Sequence, residues 1–256
     1  MSPVCRPVRR RLTAPALALL AVAVLLGLAA CRSAPTPTPT ATSLPTIAPT
    51  PIAAQAEDIV AGARQRMQQV GSFHFQVTQT GGGTPLIPGV EVVGTEGDAV
   101  LPGQLQASLS ATVMGAPTTV KIVAVGGAFY VTNPLTGKWQ VWTDGTNLLG
   151  NFNPSRAMDS LLAQATGLVV MGADVVAGAA AYHLSGTVDA GVLATLVGSA
   201  SPGAQVQVDL WVGQQDSLLY QVQVRGKVTA SEKQGIVRVV KLSAFGQPVA
   251  ITPPIQ

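Results

Sequence analysis

Two periodicities divide the chain. From Gln55 to Val70, the residues Ala56, Ile59, Val60, Ala63, Met67 and Val70 fall on one stripe at helical spacing, and Gly71 ends the run. Glu57 and Asp58 are expected in the first turn of that helix, where its dipole favours acidic side chains. From Phe73 onward apolar and polar residues alternate, and Gly or Asn-Pro punctuation recurs at hairpin intervals, which predicts a mostly antiparallel sheet. The clearest hairpin runs from Val120 to Val125, turns at Gly126-Gly127 and returns through Ala128 to Thr132; a second turn, Asn133 to Gly137, leads into Lys138 to Trp142. Further on, Val206, Val208, Leu210 and Val212 alternate with Gln207, Asp209 and Trp211, and Gly213 to Asp216 turns the chain into Leu218, Tyr220, Val222 and Val224. Ile236 to Phe245 supplies another strand, and Pro253-Pro254 cannot continue a ladder.

Two short helical segments interrupt the strands. Asn153-Pro154 reads as the cap and first turn of Ser155 to Ala165, with Met158, Leu161, Leu162 and Ala165 on one side. The second begins at Asp189, its cap, and carries Val192, Leu193, Leu196 and Val197. Helices so apolar on one side must cover something, and a sheet is the only large partner available. The predicted class is α+β.

The N-terminal segments read differently. After Arg6, Arg9, Arg10 and Arg11 comes the uncharged run Leu12 to Ala30, a signal peptide by its basic and apolar regions. It ends in Leu28-Ala29-Ala30-Cys31, which looks like a bacterial lipobox, so Cys31 is expected to become the first mature residue and to carry the lipid, palmitate or a similar acyl group. An uncleaved membrane helix or an ordinary cleaved signal are the alternatives. Two acyl chains would hold the protein at the membrane, since a single chain binds only marginally at about 0.8 kcal/mol per buried CH₂. Arg32 to Ala54 alternates Pro with Thr, Ser and Ala, which favours an extended polyproline II chain. At about 3.1 Å per residue it could reach on the order of 70 Å. The expected division is therefore 1–30 signal peptide, 31–54 anchored Cys and linker, and 55–256 one domain.

Composition narrows the function. Only 11% of residues are charged, well below the roughly 25% usual in globular proteins. The formal charge of +3 rests on the four N-terminal arginines; without them 11 basic residues stand against 12 acidic ones. Nucleic acid, which requires clustered Lys and Arg, is set aside. Cys5 lies in the discarded segment, so no cysteine is left for disulfides, thiol catalysis or metal.

Little in the residues suggests catalysis. His74 and His183 stand far apart in strand-like segments without zinc-site spacing, and are expected to be structural or surface residues. Neither a G-x-S-x-G elbow nor a phosphate-binding glycine loop precedes a helix, and Gly81-Gly82-Gly83 reads as a flexible loop. Asp98, Asp144, Asp189 and Asp216 are assigned to turns and caps, although the fold could still bring two carboxylates together. An enzyme is not expected, nor a cofactor or metal. A Val/Leu/Ala sheet under apolar helices, short of large aromatics, leaves room for an apolar cavity between its layers; the alternative, favoured for any single position, is that these residues pack a dry core.

Several stretches resemble the LppX/LprA/LprF/LprG lipoproteins, best known from mycobacteria. They are Gly71-Ser-Phe-His-Phe-Gln-Val77, Val125-Gly-Gly-Ala-Phe-Tyr-Val131 with Thr136-Gly-Lys-Trp139, Ala181-Tyr-His-Leu-Ser-Gly-Thr-Val188, Val208-Asp-Leu-Trp-Val-Gly213 with Leu218-Leu-Tyr220, and Val240-Lys-Leu-Ser-Ala-Phe-Gly-Gln-Pro-Val249. The resemblance implies an antiparallel β half-barrel with short helices across its concave face, similar to LolA and LolB, enclosing a cavity for acylated lipid or glycolipid that is carried within the cell envelope. It carries over no catalytic residue. The candidate lining is Met158, Leu161, Leu162, Leu193, Leu196, Val197, Val206, Val208, Leu210, Leu218, Tyr220 and Val222. Expected partners are the acylated lipid or glycolipid, the membrane through Cys31, and a membrane transporter, for a monomer on the extracytoplasmic face. A lipid-anchored sensor or protein-interaction module without cargo, or a plain structural envelope protein, would use the same sheet differently.

Overall fold

The computed structural model describes residues 52–87, 89–142, 154–194 and 200–255. Cys31, the apolar run before it, residues 32–51 of the Pro/Thr stretch, Asp144, Asn153, Leu196 and Val197 lie outside the described residues. Residues 48–256 form one compact unit.

Helix α1 spans Ile52–Gln68 and buries Ala56, Val60, Ala63 and Met67, the stripe expected from the spacing. It begins at Ile52, three residues before Gln55, so the end of the stretch assigned to the linker is helical, where Ala53 and Ala54 are strong helix formers. Glu57 and Asp58 consequently lie beyond the first turn, which holds no acidic residue.

Among the described residues twelve strands then form one sheet: β1 (Ser72–Thr80), β2 (Thr84–Ile87), β3 (Val90–Val100), β4 (Gln104–Val113), β5 (Ala116–Val125), β6 (Ala128–Thr132), β7 (Trp139–Val141), β8 (Thr166–Val176), β9 (Ala179–Asp189), β10 (Gln205–Gly213), β11 (Leu219–Arg225) and β12 (Val237–Ser243). Their order is β7-β6-β5-β4-β3-β1-β12-β11-β10-β9-β8, with β2 paired to β3. Every pairing among them is antiparallel. Most neighbours follow one another along the chain, as hairpins do. The exceptions are β1 beside β3, which skips the short β2, and β1 beside β12, which joins an N-terminal arm (β3 to β7) to a C-terminal arm (β8 to β11). The sheet is curved and unclosed, with β7 and β8 at its two ends.

Turn chemistry explains the hairpins. Gly126 and Gly127 have φ of 60° and 79°, so both central residues of the β5–β6 turn are left-handed, as the twist of a two-residue hairpin requires. Gly97 answers a packing need. It pairs with Phe75 on one side and Ala107 on the other, and a Cβ there would run into the Gln106 carbonyl and Ala107.

The inner face is continuous and apolar. Phe73, Phe75, Leu105, Leu109, Ile122, Leu184, Val206, Val208, Leu210, Val222 and Leu242 are all buried in a single core with the helices. Helix α2, Pro154–Gln164, turns Ala157, Met158, Leu161 and Leu162 into that core. It packs on α1, on β9 and on a short 3₁₀ turn, Ala190–Leu193, which opens the segment expected to be the second helix; residues 195–199 of that segment lie outside the described residues. Asp189 caps that turn as the sequence suggested, accepting from the Gly191 and Gly203 N–H groups. The same face also holds a charged pair: buried Arg238, opposite Val224 in register, meets Glu232, whose other oxygen accepts from the Val228 and Thr229 N–H groups. Burial pushes the Arg238 guanidinium down from its ordinary pKa and the Glu232 charge pushes it back up.

Candidate functional site

Helices α1 and α2 pack on one another, and Met67 of the first and Met158 and Leu162 of the second border a gap. The β3–β4 turn closes the opposite side. Its Leu101 N–H donates to the Gly71 carbonyl at 2.9 Å, which ties the turn to the start of β1 and sets Leu101 and Pro102 beside Phe73. The result is a cavity of about 450 Å³ with Met67, Phe73, Leu101, Pro102, Met158 and Leu162 as its apolar wall.

Polar residues form its rim: Arg64, Gln68, Ser155, Arg156 and Asp159. Arg64 lies next to Ala63 and Asp159 next to Met158, so both sit at the margin of their helix's buried stripe. Arg64 Nε donates to Asp159 Oδ1 at 2.8 Å and Nη2 to Oδ2 at 3.2 Å, a forked pair across the helices. Gln68, one turn after Arg64, donates to the same Oδ1 at 2.9 Å. The hydrogen bond from Arg64 holds the Asp159 carboxyl below the usual carboxylate range, against partial burial that pushes it up. The same bond raises Arg64. Such a site can take an apolar chain inside and a polar group at the mouth.

Of the sequence candidates, Met158 and Leu162 lie in this wall. Leu161, Leu193, Val206, Val208, Leu210, Leu218 and Val222 are buried in the adjoining core and do not border the cavity. Tyr220 is placed elsewhere: its hydroxyl donates to Asp216 at 2.8 Å, its ring meets Phe245 edge-on, and it borders an outer groove with His74, Trp211 and Lys241. The rim was not legible beforehand, since Arg64 and Asp159 are 95 residues apart. Helical spacing offered one signal: each charge adjoins the apolar stripe instead of opposing it.

The outer face gathers the histidines with carboxylates, through strand pairing that sequence spacing did not reveal. His74 Nδ1 lies 2.8 Å from Asp98 Oδ1, and its Nε2 3.4 Å from Glu96 Oε1. Asp98, assigned to a turn from the sequence, lies within β3 near its end, opposite His74. Partial burial pushes its carboxyl up, but hydrogen bonds from Gln106 and His74 together outweigh this and keep it below the usual range. His183 Nε2 lies 3.1 Å from Asp209 Oδ1, Arg225 bonds the other Asp209 oxygen, and the His183 ring stacks on Trp211 at 4.5 Å. Trp211 Nε1 in turn donates to Asp174 at 2.8 Å. Among the described residues no group of three or more His, Cys, Asp or Glu side chains could hold a metal ion. Nor is any described helix long and apolar enough to cross a membrane.

No curated protein matches the chain in sequence. Solved structures match it in fold. LprF from Mycobacterium bovis is 19% identical with a TM-score of 0.60, over 79% of this chain and 98% of that one. The Mycobacterium tuberculosis lipoprotein LppX is 16% identical with a TM-score of 0.56, over 78% of this chain and 99% of that one. The family model described as LppX_LprAFG lipoprotein matches residues 55–251, the whole run from α1 past β12, and the chain belongs to that family.

Proposed function

We propose that this protein is an envelope lipoprotein, anchored through acylated Cys31 on the extracytoplasmic side, that binds acylated lipid or glycolipid in a hydrophobic cavity and carries it within the cell envelope. The observation that carries the reading is the cavity of about 450 Å³ between α1, α2 and the β3–β4 turn, apolar inside and polar at its rim. Its size falls in the usual range for small-molecule sites, about 300 to 1,000 Å³. Acyl chains leaving the membrane would exchange one apolar surrounding for another, and burial would offset water exposure by about 25 cal/mol per Å². Residues 1–30 act as the export signal in this reading and 31–54 as the tether. Handover would involve a membrane transporter, and no catalysis is assigned.

Native and denaturing mass spectrometry with organic extraction tests it, on residues 48–256 purified without detergent from a lipid-rich bacterial host. Co-purified acyl lipid near one per protein is expected. A protein that is empty, and stays empty when offered mono-, di- and triacyl lipids, overturns the reading and leaves a module that works through its surface.

A further inference from the structure

Two hairpin tips hold bulky apolar side chains out in solvent. Val113 and Ala116 pair across the β4–β5 hairpin, so Met114 and Gly115 are its whole loop, with φ of 49° and 84°. Such a loop favours Asn, Asp or Gly at its first position, and a bulky side chain there is strained. Among the described residues the other non-glycine positions with positive φ hold Ala177, Ser217 and Ala244, all small. Met114 is 92% exposed, so no packing offsets its strain.

The β6–β7 turn reaches the same result by hydrogen bonding. Asn133 Oδ1 accepts from the Leu135 and Thr136 N–H groups, and the Gly137 N–H donates to the Asn133 carbonyl; the turn so fixed leaves Leu135 86% exposed. Thr118 on β5 donates to the Pro134 carbonyl, which holds this turn against the strand that leaves the Met114 loop. Ala116, Pro117 and Pro134 are exposed beside them. Neither turn carries an acidic residue, and Lys138 follows the second. Both tips lie at the end of the sheet away from the cavity, because β4 runs to Met114 from the β3–β4 turn and β6 runs the same way.

An exposed apolar residue taken singly is ordinary. Two at one end of neighbouring hairpins, one of them in a strained position, point to an apolar partner. Protruding tips suit the boundary of a fluid bilayer, which needs no matching hollow. A stable protein interface would bury on the order of 1,200 Å² or more of shaped surface.

We infer that Met114 and Leu135 dock the protein on a lipid bilayer, their side chains entering the boundary between headgroups and acyl chains. At about 3.3 Å per residue, the 10 residues of β4 then set the cavity up to roughly 30 Å from that surface and turned away from it. Docking through the tips is independent of what fills the cavity.

Hydroxyl-radical footprinting of the full chain in vesicles of phosphatidylcholine and phosphatidylglycerol tests this, read by mass spectrometry at Met114, Leu135 and Met171. Exposure alone ranks Met114, at 92%, above Met171, at 60%. Docking should reverse that order and slow Met114 about tenfold relative to residues 48–256 free in solution, the scale of burying one such side chain. Met114→Asn should keep or raise the urea midpoint, because Asn suits the left-handed position, and should return Leu135 toward its free rate. Met114 reacting faster than Met171 in vesicles overturns the inference, as does Leu135 staying protected in the Met114→Asn chain. Slow reaction of Met114 in the free 48–256 unit also overturns it, by placing a second copy of the protein on the tips. In each case the carrier reading stands or falls separately, on the lipid bound at the other end of the sheet.

Discussion

On strand β10 the residues Val206, Val208, Leu210 and Val212 turn to the inner face, while Asp209 and Trp211, between them, turn outward. Both sets are buried, for different reasons. The inner residues are covered by apolar neighbours from β9, β11 and the helices. Asp209, whose side chain is 4% exposed, is covered by the groups that bond its two oxygens, His183 and Arg225. Burial in one sheet can thus arise from dispersion and the hydrophobic effect on one side, and from a satisfied charge network on the other. The comparison also shows what the inner face demands of a charge. Arg238 is tolerated there because Glu232 faces it and because Glu232 is itself held by two backbone donors.

Glu232→Ala should have the largest effect. It leaves the Arg238 guanidinium buried without its counter-ion, a loss of about 3 to 5 kcal/mol measurable by urea denaturation. A change below 1 kcal/mol would mean that water reaches Arg238 and that this part of the inner face is not dry. The adjacent pair on β10 sharpens the contrast. Leu210→Ala should cost about 2 to 5 kcal/mol through a cavity in the core, and Asp209→Ala about 1 to 3 kcal/mol through lost charge-assisted bonds. A larger loss for Asp209→Ala than for Leu210→Ala would reverse the ranking of the two faces.

The outer network has a pH signature. The Asp98 carboxyl lies below its ordinary value in the fold, so its contribution to stability is present above the unfolded pKa of about 3.9 and is lost as pH falls through the lower folded value. Denaturation midpoints measured between neutral and acid pH should show this loss, and Asp98→Asn should flatten that part of the curve. A variant with the unaltered acid slope would remove Asp98 from the account. The smallest effect is expected at Met171, 60% exposed on the end strand β8. Met171→Lys should shift stability by no more than about 0.5 kcal/mol, and a larger loss would reveal a covering partner on that strand.

Much of the architecture was legible because it is local. The α1 stripe, the Gly126-Gly127 hairpin, the β10–β11 meander and the Asp189 cap each follow from spacing or turn chemistry within a few residues. The β8–β9 hairpin was harder to read, because its strand Thr166–Val176 departs from alternation at two register shifts and turns through Ala177-Gly178. Among the site residues, alternation identified an apolar face and could not say where space remained on it. Met158 and Leu161 share one side of α2, yet one borders the cavity and the other is packed in the core.

The sequence by itself determined most of the residues that turn inward, though not Tyr220, which follows the register shift opposite Val212, together with where most hairpins fall and what the N-terminal segments are expected to be, since these depend on periods of two and 3.6 residues and on local motifs. Only the tertiary structure decided that β1 and β12 meet, that Arg64 finds Asp159 across 95 residues, and that Asp98 and Asp209 come to face histidines on neighbouring strands. Those outcomes depend on strand order, register and helix docking, which are settled jointly by the whole core and leave no mark in the spacing of any one segment.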